Sequence, residues 1–137
     1  MLAKKAASKE DYDSVIEDVS HEVAHQWFFN TVGNDEYTEP WLDEGMAEFS
    51  EDISPINKIP KKYDETDTAY NGGKSFYSLL RYLMGEKKFD QAMRDYYQTY
   101  YLKQATGKDF IAIIKKHDNS KAVNDLIKRY ISPKYLQ

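Results

Sequence analysis

Two of the three histidines in the 137-residue sequence, His21 and His25, lie four residues apart, and Glu22 follows the first of them. On an α-helix, four residues turn the chain by about 400°, so both imidazoles project from one face and can bind one metal ion. Glu22 lies about 100° around the helix from His21, close to that face but not on it. A carboxylate in that position can take a proton from water that the metal activates. The segment His21-Glu22-Val23-Ala24-His25 therefore predicts a metal site that activates water.

Two histidines are one protein ligand short of a catalytic zinc site, which has three protein ligands and one open position. The sequence contains no cysteine, so the ligands must be nitrogen and oxygen atoms, a set that suits zinc as well as any other metal. The missing carboxylate must come from a second helix, and the acidic segment Trp41–Phe49 begins one after a short polar turn. A chance occurrence of this short motif on a pair of surface histidines is the alternative interpretation.

The elements that position these residues are predicted to be almost entirely helical, because glycine and proline are sparse and no strand-like alternation lasts beyond a few residues. A capping box at Ser8–Asp11 starts the first helix, which runs to about residue 29 and carries both histidines. Pro40 lies in the first turn of the second helix, which ends near residue 53 and precedes a loop with Pro55 and Pro60 that extends past residue 67. Four further helices are predicted: one that begins near residues 70–74 and ends at Gly85, one containing Phe89–Tyr101, one introduced by Gly107 and Asp109, and one capped by Ser120.

The aromatic side chains of the fourth predicted helix are interpreted as core packing rather than as a ligand platform, since they recur at helical spacing. They are Phe89, Tyr96, Tyr97, Tyr100 and Tyr101.

Composition excludes several classes of function. Nineteen basic and twenty-three acidic residues give a net charge of −4, so no basic patch for nucleic acid is expected. No apolar run approaches about eighteen residues, and no transmembrane helix is predicted. The first ten residues lack the apolar stretch of a signal peptide. With 41% apolar and 31% charged residues, the sequence is typical of a folded globular chain.

The segment HEVAHQWFFN at 21–30, followed by WLDEGMA at 41–47, closely resembles the zinc signature of the aminopeptidase N family. This is a family of gluzincin metallopeptidases that also includes leukotriene hydrolase. Its pattern is H-E-x-x-H, eighteen intervening residues and a glutamate within W-L-x-E-G. Residues 26–43 number eighteen, so Glu44 falls on the third ligand position. The resemblance implies one zinc ion bound by His21, His25 and Glu44, with Glu22 as the general base.

The family also has a tyrosine at the head of a later helix, in a Tyr-x-Lys-Gly pattern, whose hydroxyl steadies the oxyanion. Tyr70 is the corresponding residue, because the segment Tyr70–Gly73 keeps the tyrosine and the final glycine. The segment departs from the pattern at Gly72, where the family usually has lysine, and it lies closer to Glu44 than is usual. Tyr63 and Tyr77 are the alternatives for this role.

An acid of the family pattern corresponds to Glu51, seven residues after Glu44. It is expected to orient one zinc-binding histidine through the other ring nitrogen of that histidine. Glu48, one turn after Glu44, is the alternative, and either side chain could be merely solvated. The isolated His117, near a helix end, is interpreted as a surface or helix-terminus residue.

In the family, the zinc helix follows a mixed β-sheet, on which a Gly-x-Met-Glu-Asn segment binds the free amine of the substrate. Only twenty residues precede His21, so the resemblance covers about residues 10–117. It implies a mostly α fold, the helical half of a thermolysin-like catalytic domain with the upstream β-sheet absent. Residues 1–137 are thus expected to form a single helical subdomain of a larger zinc peptidase. The upstream sheet of the parent protein would complete the cleft for a peptide substrate, and aminopeptidase action is implied by the resemblance alone.

Two other functions are compatible with the same residues. One is a zinc-binding but catalytically silent scaffold that serves partner contacts, which zinc retention without peptide hydrolysis would favour. The other is a non-peptidase hydrolase that uses the same ion, which a preference for non-peptide substrates would favour.

Overall fold

The computed structural model describes residues 8–51 and 69–133, and in these ranges the chain is mostly helical, as predicted. The elements in chain order are α1 (Lys9–His25), β1 (Val32–Gly33), α2 (Glu44–Glu51), α3 (Asn71–Met84), α4 (Glu86–Thr99), β2 (Lys103–Gln104), α5 (Gly107–His117) and α6 (Lys121–Tyr130). No helix among them is both long and apolar enough to cross a membrane. The predicted loop with Pro55 and Pro60, and with it Tyr63, lies outside the described residues.

Side-chain caps fix the starts of several helices. The Ser8 hydroxyl accepts a hydrogen bond from the Asp11 N–H at 3.2 Å, and the Asp11 carboxylate accepts one from the Ser8 N–H at 2.6 Å. This is the predicted capping box, which pairs two backbone donors that a helix otherwise leaves unpaired. Thr106 and Asp109 form a second capping box at α5, and Ser120 caps α6 as predicted.

The end of α1 and the start of α2 differ from the prediction. α1 ends at His25 rather than near residue 29, because the N–H groups of Gln26 and Trp27 donate to carbonyls three residues back and tighten the turn. α2 begins at Glu44, since residues 41–43 form a turn closed by the Leu42 N–H on the Glu39 carbonyl at 3.1 Å. His25 is therefore the last residue of one helix and Glu44 the first of the next.

A short parallel sheet was not predicted. β1 and β2 pair with Val32 opposite Lys103 and Gly33 opposite Gln104. Two residues per strand are too few to show the period-two alternation by which a strand is recognised in a sequence.

The core lies between α3 and the helices packed around it. Phe76, Tyr77 and Leu80 of α3 are fully buried, and the Trp41 ring packs edge-on against the rings of Phe76 and Phe110. Of the aromatic residues predicted as core on α4, Phe89 and Tyr96 are buried, and Tyr97 and Tyr100 are partly buried. Tyr101 is exposed, because α4 ends at Thr99, before that residue.

A buried carboxylate joins the segment before α2 to the start of α5. Both carboxylate oxygens of Glu39 accept the Gly107 N–H at 2.9 Å, which supplies a partner for one of the first amides of the helix. A Cβ on Gly107 would lie 2.4 Å from a carboxylate oxygen of Glu39, so a larger residue there would displace this carboxylate. Burial, which outweighs the hydrogen bond from Gly107, raises the pKa of Glu39.

Candidate metal centre

The last turn of α1 packs against α2 and brings two histidines to one carboxylate. The Nε2 atoms of His21 and His25 are 3.1 Å apart. The Oε2 atom of Glu44 lies 3.3 Å from Nε2 of His21 and 3.4 Å from Nε2 of His25. The three residues predicted as ligands thus place one donor atom each in a small, nearly equilateral triangle.

The size of this triangle fits a tetrahedral zinc site. Ligand atoms bound to zinc at about 2.0–2.1 Å in a tetrahedron lie about 3.3–3.4 Å from one another. Without a proton or a cation between them, two imidazole lone pairs and a carboxylate oxygen at these distances repel one another. Two histidine nitrogens and one glutamate oxygen form a known donor set of catalytic zinc, so the residues present fit this ion.

The second ring nitrogen of His21 is held by an acid on α2. Nδ1 of His21 lies 2.8 Å from Oε1 of Glu51 and 3.5 Å from Oε1 of Glu48, so Glu51 is the hydrogen-bonded partner. The bond places a proton on Nδ1 and leaves the lone pair of Nε2 directed at Glu44 and His25. Of the two alternatives that the sequence left open, the geometry favours Glu51.

Three carboxylates lie on the face of α2 that contacts His21. Partial burial lowers the pKa of His21, but the hydrogen bond that His21 donates to Glu51 and the charges of Glu48, Glu51 and Glu44 outweigh it, so the pKa is raised. Burial, and then the charge of Glu51, raises the pKa of Glu48. The carboxylates of Glu44, Glu48 and Glu51 all lie within 3.5 Å of the His21 ring nitrogens, and a bound cation would neutralise part of their charge.

The other ring nitrogen of His25 has a different environment. Nδ1 of His25 is buried and makes no hydrogen bond within the residues that the structure describes. Metal-binding histidines usually donate from this second nitrogen. The orientation of His25 therefore depends on packing in the last turn of α1, including the edge-on contact of its ring with Phe29.

Glu22 and Tyr70, the residues predicted to take part in the chemistry, are both exposed. Glu22 lies on α1 beside His21. Tyr70 directly precedes α3 and has 42% of its surface exposed. Tyr77 is fully buried, and its hydroxyl donates to the Leu42 carbonyl at 3.2 Å. Tyr77 is therefore inaccessible to substrate, and burial raises its pKa well above the ordinary value.

His117 lies outside this site. It ends α5, and its Nε2 atom lies 2.9 Å from a carboxylate oxygen of Asp95 on α4. The interpretation as a residue at a helix end is confirmed.

A buried amide fixes the turn before Glu44. Asn34 donates to the Asp43 carboxylate at 3.0 Å and to the Glu39 carbonyl at 3.2 Å. In the sequence, Asn34 follows a glycine, which indicates only a turn. No local pattern marks a partner nine residues away, so this contact was missed.

The chain matches a known protein family. Residues 1–57 and 50–130 match the model of the peptidase family M1 domain. The chain therefore belongs to peptidase family M1, and the resemblance inferred from the zinc signature is confirmed.

Two relatives illustrate how much of a family member the chain represents. It is 25% identical to "Probable aminopeptidase 2" of Sulfurisphaera tokodaii over 170 residues, covering 96% of this chain and 22% of the relative. It is 26% identical to endoplasmic reticulum aminopeptidase 2 of Homo sapiens over 143 residues, covering 77% of this chain and 15% of the relative. The chain thus spans about a fifth or less of the length of these relatives.

The first alignment is longer than the chain itself. Its 170 positions exceed the 137 residues by 33, so the relative has at least that many residues without a counterpart here. The family model matches in two parts that meet at residues 50–57. Residues 50–57 lie between Glu44 and Tyr70, so the division of the family match agrees with a connection between these two residues that is shorter than usual.

Solved structures show the same fold. A mutant of the M1 zinc metallopeptidase of Deinococcus radiodurans, bound to a Tyr-Ser-Ala substrate, superimposes with a TM-score of 0.68 and 20% identity. The match covers 83% of this chain and 32% of that one. A second structure of this mutant enzyme gives a TM-score of 0.63 at 21% identity. The predicted fold, the helical part of such a catalytic domain, is confirmed.

Proposed function

We propose that this chain is the zinc-binding helical part of a metallopeptidase, and that the complete protein is an aminopeptidase. The observation that carries the proposal is the triangle of donor atoms from His21, His25 and Glu44, with sides of 3.1–3.4 Å. Membership of peptidase family M1 supports peptide hydrolysis, and the aminopeptidase names of the relatives support action at the amino end of a peptide.

Each residue has a separate task in this proposal. His21, His25 and Glu44 hold the ion, and Glu51 keeps the His21 ring oriented. Zinc, when bound, supplies a Lewis acid that polarises the scissile carbonyl and makes water more acidic. The carboxylate of Glu22 takes the proton of the attacking water and passes it to the nitrogen of the leaving amine. Its exposed position beside His21 leaves it accessible to water and substrate.

The decisive experiment measures zinc in the 137-residue chain and peptide hydrolysis by the complete protein. We expect one zinc ion per chain by elemental analysis. In the complete protein, we expect release of amino-terminal residues that stops on chelation and returns with added zinc. A chain that binds no zinc would overturn the proposal. Stoichiometric zinc without hydrolysis of any peptide by the complete protein would also overturn it and favour the silent scaffold.

Tyr70 is proposed to donate its phenolic hydrogen to the oxyanion that forms on the carbonyl. A Tyr70→Phe variant of the complete protein is expected to keep its zinc and to lose about a hundredfold in kcat, the usual cost of removing one such donor. Tyr82→Phe is the matched control, since Tyr82 lies on α3, which Tyr70 directly precedes, and is 37% exposed. A wild-type kcat for Tyr70→Phe, or an equal loss in both variants, would rule out this role.

The hydrogen bond between Glu51 and His21 predicts a loss of zinc affinity in Glu51→Ala. Removing the partner of a metal-binding histidine typically costs about 10–100-fold in affinity. Glu48→Ala removes a carboxylate from the same helix face, 3.5 Å rather than 2.8 Å from the same nitrogen, and should have a smaller effect. Competition with a zinc-binding dye measures both constants. Equal effects would show that charge, not the hydrogen bond, matters.

α1 has an exposed apolar face, which we propose the rest of the parent protein covers. The face consists of Tyr12, Val15, Ile16, Val19 and Val23, each 51–63% exposed. Their spacing places them on one side of the helix, and contiguous exposed apolar patches commonly mark contact sites.

Hydrogen exchange tests this contact. The amides of α1 should exchange more slowly in the complete protein than in the 137-residue chain, because docking suppresses local opening. The amides of α6, a helix that packs mainly against α3, serve as the internal reference. Equal rates for α1 in the two proteins would contradict the proposed contact.

A further inference from the structure

α2 and α3 cross at two glycines whose backbones are in direct contact. A Cβ built on Gly73 would lie 2.5 Å from Cα of Gly45 and 3.4 Å from its backbone nitrogen. A Cβ built on Gly45 would lie 2.7 Å from Cα of Gly73. All of these neighbours are backbone atoms, so no side chain can rotate to make room. Any side chain at this crossing would push the two helices apart.

Such a displacement would act directly on Glu44. Gly45 follows Glu44 in the chain, and the backbone nitrogen of Gly45 belongs to the peptide bond that joins the two residues. The Glu44 carboxylate lies 3.3–3.4 Å from both histidine nitrogens. Metal sites keep their ligand distances to within about 0.2 Å. A shift of the first turn of α2 by even half of the overlap would therefore spoil the triangle.

A second contact ties α3 to the chain on the other side of Glu44. The hydroxyl of the fully buried Tyr77 donates to the carbonyl of Leu42 at 3.2 Å. Leu42 lies in the turn that leads into α2, two residues before Glu44. α3 thus contacts the backbone both just before and just after the predicted third ligand.

We infer that α3, which supplies none of the three predicted ligands, positions Glu44 for the metal through the contact of Gly73 with Gly45 and the hydrogen bond of Tyr77 to Leu42. Gly73 and Tyr77 are positioning residues in this scheme. The inference rests on the proposed zinc site. It adds Gly73 and Tyr77, which neither the spacing of the sequence motif nor the geometry of the three ligands identifies.

The test is the zinc dissociation constant of the 137-residue chain, measured by competition with a chelating dye. We expect Gly73→Ala to raise the constant about 10–100-fold, comparable to the loss of a residue that orients a ligand. Gly33→Ala is the matched control, because a Cβ there meets nothing closer than 3.5 Å, and its constant should equal that of the wild type. Tyr77→Phe adds no volume, so it tests the same inference even where Gly73→Ala fails to fold, and it should weaken zinc binding to a smaller extent.

A double-mutant comparison separates positioning from general destabilisation. In a Glu44→Ala background, zinc is left with the two histidines, and neither Gly73→Ala nor Tyr77→Phe should change its affinity further. Unchanged zinc affinity of the folded single variants would overturn the inference. So would an equal loss of affinity in both backgrounds. If the wild-type chain binds no zinc, or if His25→Ala leaves its affinity unchanged, the proposed zinc site itself fails instead.

Discussion

A His25→Ala variant of the 137-residue chain is expected to lose its zinc, with occupancy falling from one ion per chain to near zero after dialysis. Nε2 of His25 lies 3.1 Å and 3.4 Å from the other two donor atoms, so its removal leaves an incomplete site. Removing a residue that hydrogen-bonds to a metal-binding side chain costs about 10–100-fold in metal affinity, and removing a metal-binding side chain itself should cost more. Elemental analysis of the dialysed protein measures the occupancy.

His117→Ala is the matched control for this variant. It removes the third histidine of the sequence, at the end of α5, where Nε2 pairs with Asp95. Its zinc content should equal that of the wild type. Stoichiometric zinc in His25→Ala would contradict the ligand assignment, whatever the result for the control.

A Glu22→Gln variant of the complete protein is expected to keep its zinc and to lose peptide hydrolysis. Glutamine has nearly the same shape as glutamate but cannot accept the proton of the attacking water. General base catalysis contributes about 10²–10⁴-fold, and we expect kcat to fall by an amount at the upper end of this range. KM should change little, because the interaction is made only as the proton moves.

Glu17→Gln is the control for the same change of charge on α1. Glu17 is exposed and lies more than one turn before the histidines. Its kcat should match the wild-type value. If Glu22→Gln hydrolyses peptides at the wild-type rate, another group must take the proton.

The sequence predicted those features that depend on neighbours in the chain. The four-residue spacing of His21 and His25 places both on one helix face, and Ser8 with Asp11 forms a capping box within four residues. Glu44 was found through the resemblance to a known signature, since many acidic residues follow the histidines and helical periodicity does not choose among them.

Contacts between distant segments could not be predicted. The sequence placed both Glu48 and Glu51 on the right helix face, and only the distances to Nδ1 of His21 distinguish them. The contact between Gly45 and Gly73 could likewise not be predicted from the sequence. Each glycine has a local interpretation, at a helix start, and nothing in the chain between them indicates that their backbones are in contact.

The end of α1 and the start of α2 were also predicted only approximately. Apolar residues continue through Phe28 and Phe29, so periodicity extended α1 beyond His25. The chain instead tightens into a turn after His25, where the Val32 N–H donates to the Trp27 carbonyl at 2.9 Å and the Val32 side chain is buried. Periodicity within α1 does not indicate these contacts.

The meeting of helix ends at the metal centre has a consequence for how α1 is held. Among the described elements, α2 is the main helical neighbour of α1. An ion bound by His21, His25 and Glu44 would act as a cross-link that closes the loop between the two helices, and closing a loop lowers the entropy of the open chain. Binding of the ion and packing of α1 against α2 would then be coupled, so that each stabilises the other. A peptidase built in this way would hold α1, the helix that carries Glu22, less firmly after losing its metal.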